Sequence, residues 1–128
     1  MRGYVTRLIV GSIVIAVSTA ARVAAGDDTR LIDALKAHDA AAVPALLSQH
    51  ADVNARQGDG ATALHWAVHF DDLKTTELLI RAGARASVSN ELGATPLYVA
   101  CTNRNAAIVR TLLAAGANPT AALPSGET

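Results

Sequence analysis

The chain has 128 residues, room for one domain, and its 11 basic and 11 acidic side chains balance, leaving no basic stripe of the kind that tracks nucleic acid. Hydrophobic residues make up 51% but aromatics only 3%, so any core is built from Ala, Leu, Val and Ile, side chains small enough for closely stacked helices. A single cysteine, Cys101, excludes an intrachain disulfide.

Arg2 and Arg7 form a positive start, and Leu8 to Val17 is an apolar run followed by small residues. This is the layout of a secretory signal peptide, and Val23-Ala24-Ala25 suits a cut before Gly26, with Ser18-Thr19-Ala20 as a second site. The alternative is an uncleaved membrane anchor, but a spanning helix needs about 20 apolar residues and Arg22 interrupts this one early. Residues 1–25 are therefore read as the signal peptide of an exported protein, periplasmic or secreted. Its removal takes away Arg2, Arg7 and Arg22, leaving eight basic against 11 acidic residues, a net charge of −3. A mildly acidic mature part argues further against DNA or anionic lipid as a partner.

Beyond residue 26 the chain repeats itself. G-A-T-A-L-H-W-A at Gly60–Ala67 returns as G-A-T-P-L-Y-V-A at Gly93–Ala100, an offset of 33 residues that also carries Gly83-Ala84 onto Gly116-Ala117. A fixed period of this length means one structural unit copied and stacked. Subtracting it from Leu64, Ala67 and Val68 gives Leu31, Ala34 and Leu35, so an earlier copy follows the polar lead-in Asp27-Asp28-Thr29, a helix-start signal.

Each unit needs a second helix. Its apolar stripe is Ala40, Val43, Leu46 and Leu47, then Leu73, Thr76, Leu79 and Ile80, then Ala106, Val109, Leu112 and Leu113. Two residues conflict with it: Pro44 removes a donor early in the first copy, bending or delaying the helix, and Thr76 needs a carbonyl one turn earlier for its hydroxyl. The pairs close at Gly83 and Gly116, where a left-handed residue is wanted, and His50 holds that place in the first copy at a cost of about 1 kcal/mol. The extended stretches Asp52–Asp59 and Arg85–Leu92 follow, with turn chemistry at Gln57-Gly58-Asp59-Gly60. Thr62 and Thr95 are placed to cap the next helices, and Pro96 takes a first helical position.

These blocks resemble the ankyrin repeat, whose pattern runs G-x-T-P-L-H-x-A and later L-L-x-x-G-A. The resemblance implies an all-α solenoid of stacked helix-turn-helix units with hairpin-like loops. Residues 27–56 form the capping repeat, 57–89 and 90–122 full repeats, and 123–128 the start of a further one. Gly126 and Thr128 fall in register with Gly93 and Thr95, so the sequence is read as cut from a longer array. In the family the T-P-L-H histidine, here His65, ties adjacent loops together. Ala63 replaces the proline in that copy, and Tyr98 replaces the histidine in the next.

Candidate chemistry is sparse. His65 and His69 stand at i, i+4, a metal-binding spacing, but no glutamate or third ligand accompanies them, so no metal is expected. Cys101 matches Leu35 and Val68 on the buried stripe and is read as a small core hydrophobe. With no nucleophile motif or phosphate-binding loop, no catalysis, cofactor or small-molecule substrate is inferred. The resemblance implies another protein as partner, held by the concave face and loop tips. Residue by residue, those positions are Arg56, Asp59, His69 and Phe70, then Ser89, Glu91, Leu92, Thr102 and Asn103. Phe70 and Leu92 carry the most weight, because exposed apolar side chains mark contacts. The expected function is an exported interaction module; the alternative is the accessory part of a larger enzyme or toxin with its active domain beyond Thr128. N-terminal sequencing of exported material should give Gly26 as the first residue, whereas an intact Met1 on a membrane-embedded product would make the segment an anchor.

Overall fold

The 33-residue period becomes three helix pairs. The computed structural model describes residues 28–120, and among them the helices are α1 (Arg30–Lys36), α2 (Ala42–Ser48), α3 (Ala63–His69), α4 (Leu73–Arg81), α5 (Pro96–Thr102) and α6 (Ala106–Ala114), with no strand. Each odd-numbered helix pairs with the one that follows it. The first helices α1, α3 and α5 then stack in series, and α4 lies against α6. Residues 1–27, with the expected signal peptide, and 121–128, with the entry to a further repeat, lie outside the described residues.

A helix of seven residues is too short to be stable alone, so packing must hold these in place. Leu31, Ile32 and Leu35 of α1 join Leu64, Ala67 and Val68 of α3 and Leu97 and Ala100 of α5 in one core. Val43, Leu79, Ile108 and Leu112 close it from the second helices, each 0% exposed. Each such side chain contributes about 1.5–3 kcal/mol by leaving water.

The deviations from the repeat behave as their chemistry requires. By the period α2 should start at Ala40; it starts at Ala42, and Pro44 becomes its third residue, where a missing N–H leaves no hydrogen bond unmade. Asp72 and Asn105 cap α4 and α6 by accepting from the N–H groups of Thr75 (3.0 Å) and Ile108 (3.1 Å), while α2 has no side-chain cap. Thr76 is 0% exposed, and its hydroxyl donates to the Asp72 carbonyl at 2.8 Å. His50 adopts φ 60°, beside 98° at Gly83 and 90° at Gly116. His38, Asp71 and Arg104 form a second left-handed series, one per turn between paired helices (φ 58°, 56°, 58°).

One expectation fails. Cys101 is exposed, not buried. Leu35 and Val68 are covered because α3 and α5 stack upon them, whereas among the described residues no later helix covers α5. Tyr98 and Leu113 are exposed at 41% and 42% for the same reason; their counterparts two repeats earlier, Ile32 and Leu47, are buried and half-buried.

Polar ties pin each loop to the next. Asp28 receives a two-pronged bond from Arg30 (2.7 and 2.9 Å) and the N–H of Asp52 (3.1 Å), joining the start of α1 to the loop after α2. The Arg30 guanidinium holds the Asp28 carboxyl well below the usual carboxylate range. Asn54 bonds the Gly83 carbonyl and the Arg85 N–H, and one repeat later Ser87 bonds Gly116 and Asn118 in the same way. The Glu91 N–H donates to the Asp59 carbonyl at 2.9 Å. Gly60, at φ 80°, sits where an added Cβ would meet the Arg56 guanidinium at 2.9 Å and the Asn90 backbone at 3.3 Å, so this loop contact requires glycine.

His65 is the central tie. Its Nδ1 accepts from the Thr62 N–H at 3.1 Å, which fixes the proton on Nε2, and Nε2–H donates to the Ala94 carbonyl of the next loop at 3.0 Å. Only 5% of the residue is exposed, and burial lowers its pKa from the ordinary 6.5. A histidine held neutral in the folded state stabilises the fold fully above its unfolded pKa, and that contribution is lost as pH falls through the lowered folded value. The melting temperature should therefore begin to drop as pH falls below about 6.5, where the unfolded histidine takes up its proton. His65→Gln, which does not titrate, should lower stability at neutral pH and flatten that drop. A mutant that keeps the full drop would place the titration elsewhere.

Candidate functional site

Residues one period apart form columns across the first helices. Asp33, Trp66 and Val99 make one, Lys36, His69 and Thr102 the next, Ala37, Phe70 and Asn103 a third. All three columns carry their aromatic residue in the middle repeat, so Trp66, His69 and Phe70 come together. The His69 ring lies 5.7 Å from Trp66 and 5.2 Å from Phe70, and Trp66 lies 5.8 Å from Phe70. His38, from the turn of the preceding repeat, packs on Phe70 at 4.6 Å. The Lys36 ammonium stands 5.4 Å from the Trp66 ring centroid, a cation–π contact. Phe70 keeps 36% of its surface exposed. The cluster is thus an apolar patch edged with imidazoles.

Two hollows flank it. Asp59, Ala61, His65, Trp66, His69, Asn90 and Val99 line a groove of about 160 Å³ between the loops and α3. Leu35, His38, Ala67, Phe70 and Asp72 line part of another, of about 350 Å³, toward the turns between paired helices. Of the expected contact residues, His69 and Phe70 share the aromatic cluster, and Asp59 and His69 share the groove. Phe70 lines the other hollow, at the opposite end of α3 from the loop carrying Glu91 and Leu92. Glu91 is exposed beside Asp59, to which its backbone is bonded, and Leu92 stands 78% exposed at its turn. Thr102 is exposed, its hydroxyl donating to the Tyr98 carbonyl at 3.0 Å.

Two of these residues are committed to the scaffold. Arg56 donates to the carbonyls of Gly60 (3.1 Å) and Ser89 (2.7 Å), joining two loops. Asn103 donates to the carbonyls of Val68 (3.2 Å) and His69 (3.3 Å) and to the Asp71 carboxylate (3.3 Å), joining two turns. The Asp59 carboxylate accepts from the Ala61 N–H at 2.9 Å, and that bond, with one from Gln57, lowers its pKa. Lys36 and His38 escaped the sequence reading, although stepping back one period from His69 and Asp71 reaches both. Trp66 joins the groove too, its indole N–H donating to Gln57 at 3.3 Å.

His65 has both ring nitrogens engaged, so the i, i+4 histidines do not converge on a common ligand. Among the described residues no three His, Cys, Asp or Glu side chains gather as a metal site.

Comparison with known proteins agrees with this geometry. A family profile described as ankyrin repeats (three copies) matches residues 31–122. Neurogenic locus notch homolog protein 1 of Homo sapiens is 38% identical over 55 residues, 43% of this chain and 2% of that protein. Protein phosphatase 1 regulatory subunit 27 of Mus musculus is 38% identical over 68 residues, covering 53% of this chain and 44% of that one. BCL-6 corepressor-like protein 1 of Homo sapiens is 38% identical over 77 residues, 60% and 4% respectively. The chain thus spans less than half the length of each of these relatives. Ankyrin repeats are generally protein–protein interaction modules. With a matching profile over most of its length and three helix pairs in one register, this chain belongs to the ankyrin repeat family.

Proposed function

We propose that the chain is an exported, non-catalytic module that binds another protein through the face of its first helices and the adjoining loop tips. The observation that carries this reading is the aromatic cluster of His38, Trp66, His69 and Phe70. In a chain where Phe, Trp and Tyr make up only 3% of residues, Trp66 and Phe70 side by side with two histidines on a partly exposed face are costly to leave in water, and such patches mark contact sites. The hydrogen-bonded loops holding Asp59, Glu91 and Leu92 add a polar rim with one apolar tip. Export rests on the charged start, the apolar run Leu8–Val17 and the small residues before Gly26. Among the described residues no helix is long and apolar enough to cross a membrane.

Phe70→Ala should abolish capture of a bound protein that wild type retains, while costing much less melting temperature than a core truncation, because Phe70 is already 36% exposed. Leu79→Ala, 0% exposed, should cost about 2–5 kcal/mol and unfold the array. Equal losses of stability in the two variants would make Phe70 a core residue and remove it from the contact surface.

A further inference from the structure

We propose that the groove between the loop tips and α3 receives a cationic side chain of the partner, an arginine guanidinium in preference to a lysine. This rests on reading the chain as a protein-binding module and adds the chemistry of what it grips. The groove's volume, about 160 Å³, is below the roughly 300 Å³ at which drug-sized ligands begin to fit, so it suits one side chain.

The charges around the groove decide which kind. Asp59 lines it as a carboxylate, held ionised by the Ala61 N–H. Glu91, exposed on the next loop and bonded through its backbone N–H to the Asp59 carbonyl, brings a second acidic residue beside Asp59. His65 is neutral and fully engaged, so it offers an incoming anion neither charge nor a free donor. Arg56, on the adjoining loop, turns donors to the Gly60 and Ser89 carbonyls, and its charge, which reaches His65, offsets part of the acidic field. An acidic side chain would thus meet repulsion from Asp59, and an apolar one would leave the rim's charge without a counter-ion.

The aromatic wall points the same way. The faces of aromatic rings carry negative potential that attracts cations, tryptophan most strongly. The Trp66 ring already takes part in one such contact, with the Lys36 ammonium of the preceding repeat 5.4 Å from its centroid. A guanidinium can stack on the ring and fork onto a carboxylate at once, which a compact ammonium cannot.

Trp66 is the only tryptophan, so its fluorescence reports on the groove. The full chain should be titrated with N-acetyl-Gly-Arg-Gly-amide, with the citrulline peptide as neutral isostere and the glutamate peptide as opposite charge. The arginine peptide should give a saturable change in Trp66 emission, and the other two none. Asp59→Asn retains an acceptor for the Ala61 N–H and should weaken arginine binding about threefold. Lys36→Gln should strengthen it about twofold, since it removes a nearby positive charge. Equal binding of citrulline and arginine peptides, or an unchanged affinity in Asp59→Asn, would overturn the assignment. Loss of partner capture in Phe70→Ala with no arginine binding would keep the module and reject the groove. Arginine binding with partner capture indifferent to Phe70 would do the reverse.

Discussion

No repeat in this chain can bury its own apolar stripe. Helices of seven and nine residues have little stability alone, so each pair exists because a neighbour covers it. The stacking of α1 on α3 and of α3 on α5 is the interaction on which the rest depends. It buries Leu35 and Val68, aligns the loops so that His65 reaches Ala94, and lines up the columns that bring Trp66, His69 and Phe70 together. Where that covering stops among the described residues, Cys101, Tyr98 and Leu113 emerge into solvent.

Polar contacts set register where apolar ones supply energy. The loop ladder runs through backbone groups and short side chains, Asn54 and Ser87 each linking one loop to the next. Such bonds add about 0.5–1.5 kcal/mol apiece, but they are directional, so a slipped register would leave them unmade. Among the described residues no buried side-chain nitrogen or oxygen lacks a partner. A scaffold held this firmly can present a contact face without first ordering it, which lowers the entropic cost of binding.

Much of the fold was legible because the period turns one recognised block into positions for all the others. His50 at a left-handed site, the late start of α2 at Pro44 and the back-bonded Thr76 hydroxyl each followed from a residue set against its counterparts one period away. Cys101 was misread because the same comparison assigns burial by position, while burial depends on whether a neighbour is there. The contact face was legible only in part. Periodicity says which residues share a column, but not that Arg56 and Asn103 spend their donors on neighbouring carbonyls, nor that His38 crosses to Phe70. Those facts belong to side-chain reach across the stack. The reading of residues 1–25 as a signal peptide rests on sequence alone.

If stacking is what holds each repeat, the repeat covered on both sides should open least often. Native-state amide hydrogen exchange measures this directly, since protection reports local opening. The slowest-exchanging amides should lie in α3 and α4, around Ala67 and Leu79, both 0% exposed, with α6 exchanging markedly faster although Leu112 is equally buried. Equal protection of α4 and α6 would contradict the account, because among the described residues no helix pair covers α6 on its far side.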